Sequence, residues 1–295
     1  MRRATSLNNA ALFTIPALIW GSTWLAIRLQ LGVVDPLVSV TYRFLGAAGL
    51  MLLYCRLRGI NLRFGPSEHL FIGLQGVFLF GFNYWLVYEA EEVLPSGLVA
   101  IVFSAVLFAN VLNGRIFLKA PVQRRVVVGG SLGLAGIGSI FVHDLAAFSL
   151  SNRSAQALAL ALVSVYLASL GNILSARNQR AGLTVVQTNS LGMLYGGVAM
   201  LGVSAALGKP IAFDLSPRYV ASLGYLTVFG SVVAFACFLT LVGRIGADRA
   251  AYVTLVMPVI ALVLTTAFES YDWTPSALVG VALVMCGNYL ALRRR

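Results

Sequence analysis

PRYVASLGYLTVFGSVVAFACFLTL, residues 217–241, carries one charged side chain, Arg218, at its head and none over the rest of its length. As an α-helix the stretch is about 37 Å long at a rise of about 1.5 Å per residue. That is enough to cross a hydrocarbon core of about 30 Å. Its apolar residues run continuously instead of alternating, which favours a helix over a barrel strand, and lipid tolerates unpaired backbone in neither alternative. Similar runs recur on both sides of it. They span residues 10–30, 36–57, 69–88, 95–118 and 125–142 in the first half of the chain, and 155–174, 184–207, 247–268 and 275–292 in the second. Ten transmembrane helices are expected.

Composition supports this reading. Of the 295 residues, 59% are hydrophobic and 11% charged, whereas a soluble domain carries about a quarter charged residues. Arg2 and Arg3 precede the first run, which is too long for the apolar part of a secretory signal and has no small-residue cleavage site after it, so a retained first helix is expected. Cys55, Cys237 and Cys286 fall within or at the ends of spans without paired spacing, so neither a disulfide framework nor a metal site is indicated.

The net charge of +11 is distributed by topology. Arg2, Arg3, Arg56, Arg58, Arg63, Arg115, Lys119, Arg124, Arg125, Arg177, Arg180, Arg244, Arg249 and Arg293 to Arg295 fall on one alternating set of segments. The opposite set holds Arg28, Arg153, Lys209 and Arg218. The basic set belongs in the cytoplasm, with both termini. Asp35, Glu89, Glu91, Glu92, Asp144, Asp214 and Asp272 fall on the other side. The basic pI therefore indicates a bilayer and not a nucleic-acid partner.

The segment 149–154 divides the chain into residues 1–148 and 149–295, each with five spans, and an odd number of spans inverts one half against the other. Gly129 and Gly136 in the fifth span are seven apart, as are Gly280 and Gly287 in the tenth. The expected fold is all-α integral membrane, ten transmembrane helices as two inverted five-helix repeats. Secondary transporters often use this plan, with the substrate near the midplane where the halves meet.

Trp20–Ser22 reads Trp-Gly-Ser in the first span and Arg43–Leu45 reads Arg-Phe-Leu in the second. Pro258 lies mid-span in the ninth, which Glu269 closes before Gly280 and Gly287. On these residues the chain resembles the ten-helix drug/metabolite transporters of the EamA type, and more closely the YddG-type exporters of aromatic and other amino acids. The first half departs from the pattern, with Val106 and Phe117 roughly where the repeat would carry Pro and Glu. The resemblance implies outward transport, with helices 5 and 10 peripheral to the pathway.

Trp20 and Trp24 share one face of the first helix. Trp20 is at mid-depth, away from an interfacial belt, so a substrate cavity and plain packing are both open. Gly21 and Ser22 would let a helix or ligand approach closely. Tyr84 and Tyr88 repeat the four-residue spacing beside Asn83, near enough to the outer interface that an aromatic belt competes with a binding role. Tyr166 and Tyr195 lie deeper, and Tyr252 is intermediate. Arg43 is the basic residue inside a span; it either binds an anion such as a substrate carboxylate or braces a neighbouring helix. Pro258 kinks the ninth helix as a hinge or a static bend. Asn172, Gln75, Ser104 and Asn110 suit interhelical hydrogen bonds. Candidate substrate-binding residues are thus Trp20, Ser22, Trp24, Arg43, Asn83, Tyr84, Tyr88, Ser104, Tyr166 and Tyr252, with Gly21 and Pro258 as gating candidates.

His69 and His143 are both near span ends, and no zinc spacing, Ser-His-Asp set or phosphate loop is present. No cofactor, metal or enzyme activity is expected. With no Asp or Glu in the middle third of any expected span, a facilitator or solute exchanger is expected over a proton-driven carrier, Glu269 and Asp272 being the exception to watch. The expectation is a monomeric inner-membrane exporter of small amphipathic solutes, amino acids first. A hydrophobic-cation exporter, a phosphorylated-metabolite carrier and a membrane-embedded enzyme are the alternatives, in falling order.

Overall fold

The computed structural model describes residues 7–94, 96–142, 146, 151–269 and 273–292, and among them the chain is helical with no strand. Among the described residues ten long helices follow one another. They are α1 (Asn9–Arg28), α2 (Pro36–Leu57), α3 (Pro66–Glu91), α4 (Ser96–Ser104 continued by Val106–Leu118) and α5 (Arg124–Ile140), then α6 (Asn152–Arg180), α7 (Val185–Ala206), α8 (Pro217–Ile245), α9 (Ala247–Ala250 continued by Tyr252–Glu269) and α10 (Pro275–Leu292). Among the described residues α1, α2, α3, the Ile101–Leu118 part of α4, α6, α8 and α10 are each long and apolar enough to cross a membrane unaided.

Local chemistry sets the starts. Pro36, Pro66 and Pro217 occupy first-turn positions where a missing N–H costs nothing. The side chains of Asp35, Ser151 and Ser216 accept from backbone amides of the turns they open. Thr184 and Gln187 form a reciprocal capping box at the head of α7. α6 is longer than its apolar run, ending at Arg180, whose guanidinium donates to the carbonyl of Leu118.

Packing shows the repeat. α1 lies against α8 and α9 as α6 lies against α3 and α4; α2 meets α8 as α7 meets α3; and α2 pairs with α7, α5 with α10. Exchanging α1 with α6, α2 with α7 and so on leaves this pattern unchanged, as two inverted repeats require. The halves also share their irregularities. A π-helical segment interrupts α3 at Val77–Phe82 and α8 at Leu226–Val233. A break falls at Ala105 in α4 and at Ala251 in α9.

Lipid offers no hydrophobic drive between helices, so close backbone approach and interhelical hydrogen bonds hold the bundle. A Cβ on Gly136 would stand 2.6 Å from the carbonyl oxygen of Gly280, and one on Gly129 would stand 2.6 Å from that of Gly287. The two seven-residue glycine pairs are therefore the α5–α10 seam. Gly76 of α3 presses against the backbone of Gly192 in α7 more tightly still. Asn178 donates to Gln75 Oε1 at 3.0 Å, Asn113 to Ser169 Oγ at 2.9 Å and Gln179 to the Leu239 carbonyl at 2.8 Å, tying α6 to α3, α4 and α8.

Candidate functional site: a cavity between the halves

A narrow cavity of about 70 Å³ lies between the halves. It is lined by Trp20, Thr23 and Ile27 of α1, by Leu79, Asn83, Tyr84 and Val87 of α3, and by Phe103 and Val106 flanking the break in α4. From the second half come Ala168 and Asn172 of α6, Phe235 and Phe238 of α8, and Thr254 and Met257 of α9. Each lining helix has its repeat-mate in the lining, α1 with α6, α3 with α8 and α4 with α9. The self-paired α2–α7 and α5–α10 stay outside it. Towards the end of the bundle rich in arginine lies a vestibule of about 550 Å³, bordered by Asn110, Gln179, Arg180, Arg244 and Asp248.

The π segments position this site. Widened turns release carbonyls from the usual i to i−4 ladder, and side chains of the site take them up. In α8 the Gly230 carbonyl accepts from Trp20 Nε1 at 3.0 Å, and the Leu226 carbonyl accepts from Ser231 Oγ at 3.0 Å. In α3 the Leu79 carbonyl accepts from Asn83 Nδ2 at 3.2 Å. Trp20 is thereby held with its ring edge-to-face on Phe235 at 4.9 Å and Phe238 at 5.1 Å.

Polar groups in the wall are left open. The Oδ1 atoms of Asn83 and Asn172 are buried without a hydrogen-bond partner, and the asparagines are 2% and 3% exposed. No Lys or Arg is among the lining residues. Arg43 is buried behind the wall: Nε donates to Ser231 Oγ at 2.9 Å and the guanidinium stacks 4.5 Å from the Tyr84 ring centroid, while Nη1 has no partner. The bracing reading describes its contacts, and the anion reading survives only in the free Nη1.

The other candidates separate. Trp20, Asn83 and Tyr84 line the cavity. Tyr88 is fully buried but outside the lining, its hydroxyl donating to Gln30 Oε1 at 2.9 Å. Ser22 is bonded to the Ile19 carbonyl and the Tyr225 hydroxyl. Ser104 is buried one position from Phe103 and is not in the lining. Tyr252 is buried against α5, its hydroxyl donating to the Val126 carbonyl. Tyr166 corrects the expectation outright: it is 47% exposed on the outer face of α6, because Val165, Ala168, Ser169 and Asn172 take the inward face. Gly21 is a packing position, with Ile260 Cγ2 2.7 Å from where a Cβ would stand. Pro258 is buried in a helix that runs on through it from Tyr252, and the break in α9 lies at Ala251. The side chains of Trp24 and Glu269, together with His143 and Asp272, lie outside the described residues. Phe103, Phe235, Phe238 and Thr254 were not legible as site residues, since an apolar ring facing a cavity and one facing lipid look alike in sequence. Asn172 stood out only as a polar residue within a span.

The profile of the EamA-like transporter family matches the chain twice, over residues 9–142 and 155–293. The chain belongs to the EamA-like transporter family. Members similar to it along most of their length include YedA of Escherichia coli K12, described as an uncharacterized inner membrane transporter, 29% identical over 95% of this chain and 91% of the relative. Protein PagO of Salmonella typhimurium is 24% identical over 96% and 92%. A protein of the same Salmonella named a probable amino-acid metabolite efflux pump is 22% identical over 97% and 95%. A crystal structure superposes with a TM-score of 0.80 at 16% identity, covering 96% of each chain, and so shares the fold. This EamA-like protein is a multi-pass membrane transporter.

Proposed function

We propose that the protein is an inner-membrane exporter of small amphipathic solutes bearing an ammonium group, amino acids first, working by alternating access about the central cavity. The observation that carries this reading is the wall chemistry: aromatic rings at Trp20, Tyr84, Phe103, Phe235 and Phe238 beside the free amide oxygens of Asn83 and Asn172. Aromatic faces attract cations, and an ammonium offers donors to carbonyl oxygens with none to spare for cationic walls. The family and the name of the 22% identical efflux pump support the direction and the class. The excess of arginine at the vestibule end supports a cytoplasmic side for that end and for both termini.

A hydrophobic cation would use the same rings and oxygens, and is the second reading. A phosphorylated solute would want guanidinium or ammonium groups in the wall, where none stands. The test is counterflow into proteoliposomes of radiolabelled phenylalanine, threonine and glutamate, the dye ethidium, and glucose 6-phosphate. Saturable exchange of phenylalanine or threonine, with KM raised about tenfold by Asn172→Ala, the cost of about one lost hydrogen bond to a charged group, is expected. Exchange of ethidium alone would transfer the protein to the second reading, and exchange of the phosphate alone would end both.

A further inference from the structure

We propose that Glu91, at the roof of the cavity, binds and releases the proton whose movement drives the change of facing, so that transport is proton-coupled. The inference rests on the transporter reading of the same cavity and adds its coupling ion. On α3, Asn83 and Val87 line the cavity, and Glu91 follows one turn further along that helix face. Its stem is partly exposed, yet both carboxylate oxygens are buried and neither has a hydrogen-bond partner among the described residues. A carboxylate out of water and without hydrogen bonds is costly unless a proton or nearby charge neutralises it. Conformation and protonation at Glu91 are therefore tied together.

The groups around it do not take over that role. Arg28 of α1 and Arg43 of α2 act on Glu91 through their charge, though neither forms an ion pair with it. Arg43 is held by Ser231. On α3, Tyr84 stacks under Arg43, the Tyr88 hydroxyl is bonded to Gln30, and Glu89 accepts from Trp85 Nε1 at 2.8 Å. Glu92 faces outward, and burial, then the carboxylates of Glu89 and Asp35, push its own carboxyl up. Arg153 at the head of α6 acts on Glu92. The Ser96–Ser104 part of α4 brings no titratable group, and Asp35 is paired with Lys209.

With the roof open, Glu91 takes a proton from water on the acidic side. With the vestibule side open it gives that proton up through the cavity, so one proton enters as solute leaves. A ligand shifts a conformational equilibrium only by its differential affinity for the two facings, and Glu91, sealed in the conformation seen, has different surroundings in each. The sequence placed Glu91 among outer acidic residues and argued for a facilitator; its burial reverses that argument.

The test uses no solute, so its outcome is independent of the substrate reading. In a background lacking Cys55, Cys237 and Cys286, Ile27→Cys in the cavity wall reports roof opening through its relative alkylation rate: the rate with a membrane-impermeant maleimide in proteoliposomes divided, at each pH, by that of the same cysteine in the detergent-unfolded protein, which removes the ionisation of the thiol itself. Between about pH 5 and about pH 9 that rate is expected to change about tenfold, the effect of a one-unit difference in proton affinity between facings. It should be flat with pH in Glu91→Gln and remain pH-dependent in Glu91→Asp and Glu92→Gln. A flat profile with Glu91 present, a pH dependence that survives Glu91→Gln, or one that vanishes with Glu92→Gln overturns the proposal. Should Glu91→Gln fail to fold, the infrared pH-difference spectrum of the unsubstituted protein decides: a buried-carboxyl band that shifts in Glu91→Asp supports it, and no such band refutes it.

Discussion

In α8 the residues that follow the π segment into the cavity are Phe235 and Phe238; at the same offsets in α3 stand Tyr84 and Val87, with Asn83 ahead of them. Nine residues past the π segment, α3 has Glu91 and α8 has Val242. The two helices share one backbone device and differ in what they mount on it. The repeat has thus kept the geometry that opens carbonyls to the cavity while α8 mounts an apolar wall on it and α3 adds the polar Asn83 and Tyr84. On the proposed function, the symmetric backbone supports two facings and the asymmetric side chains orient the solute.

The contrast extends to how each helix crosses its neighbour, and the largest expected effect tests it. Gly76 meets the backbone of Gly192, whereas the corresponding crossing of α2 with α8 sets Gly46 3.2 Å, as a Cβ, from the Thr227 methyl group. Gly76→Val should cost about 3 kcal/mol or more, since overpacking against main chain has nowhere to relax. Gly46→Ala should be far milder because a side chain gives way. Melting of both variants in detergent checks this, and equal losses would mean that the two crossings are alike after all.

Ser231→Ala comes next. It strips Arg43 Nε of its partner in a buried setting, and leaving such a donor bare costs about 1 to 3 kcal/mol. Gln75→Leu should cost less, as it removes from the other half only one neutral acceptor, that of Asn178. A thermal shift ranking them the other way would place the more demanding polar lock in α3. Trp20→Phe keeps a ring against Phe235 and Phe238 while deleting the bond to the Gly230 carbonyl. A loss of about 1 kcal/mol is expected, with transport weakened more than stability if the indole shapes the cavity; unchanged kinetics would make the N–H a packing detail.

The smallest effect belongs to the clasp between the halves. Lys209 Nζ lies 2.7 Å from Asp35, joining the α1–α2 and α7–α8 turns, and the hydrogen bond and charge of Asp35 push the Lys209 ammonium up from its ordinary value. A cation with a raised pKa in the fold stabilises fully below its unfolded pKa of about 10.4 and loses that contribution as pH rises through its folded one. For so exposed a pair the contribution is at most about 1 kcal/mol. Lys209→Met should therefore lower the melting temperature slightly at neutral pH and not at all well above pH 10. A difference that grew with pH would contradict the sign.

Much of this molecule was written in its sequence because the bilayer enforces it. Span lengths, the basic excess on alternate segments and the need to satisfy every backbone group within a helix follow from composition and periodicity alone. Even the α5–α10 seam was visible as Gly129, Gly136, Gly280 and Gly287, since only glycine lets backbones approach so closely. What sequence could not decide was which way a side chain faces. Tyr166 and Asn172 lie six residues apart on α6, yet one faces out and the other lines the cavity. The π segments that turn Trp20, Asn83 and Ser231 towards freed carbonyls have no mark in composition, because they depend on partners from other helices. The same holds for Glu91, which reads as a solvated loop acid until α2, α4 and α6 pack against the end of α3 that carries it. Its burial is a property of their packing, and no single span carries it.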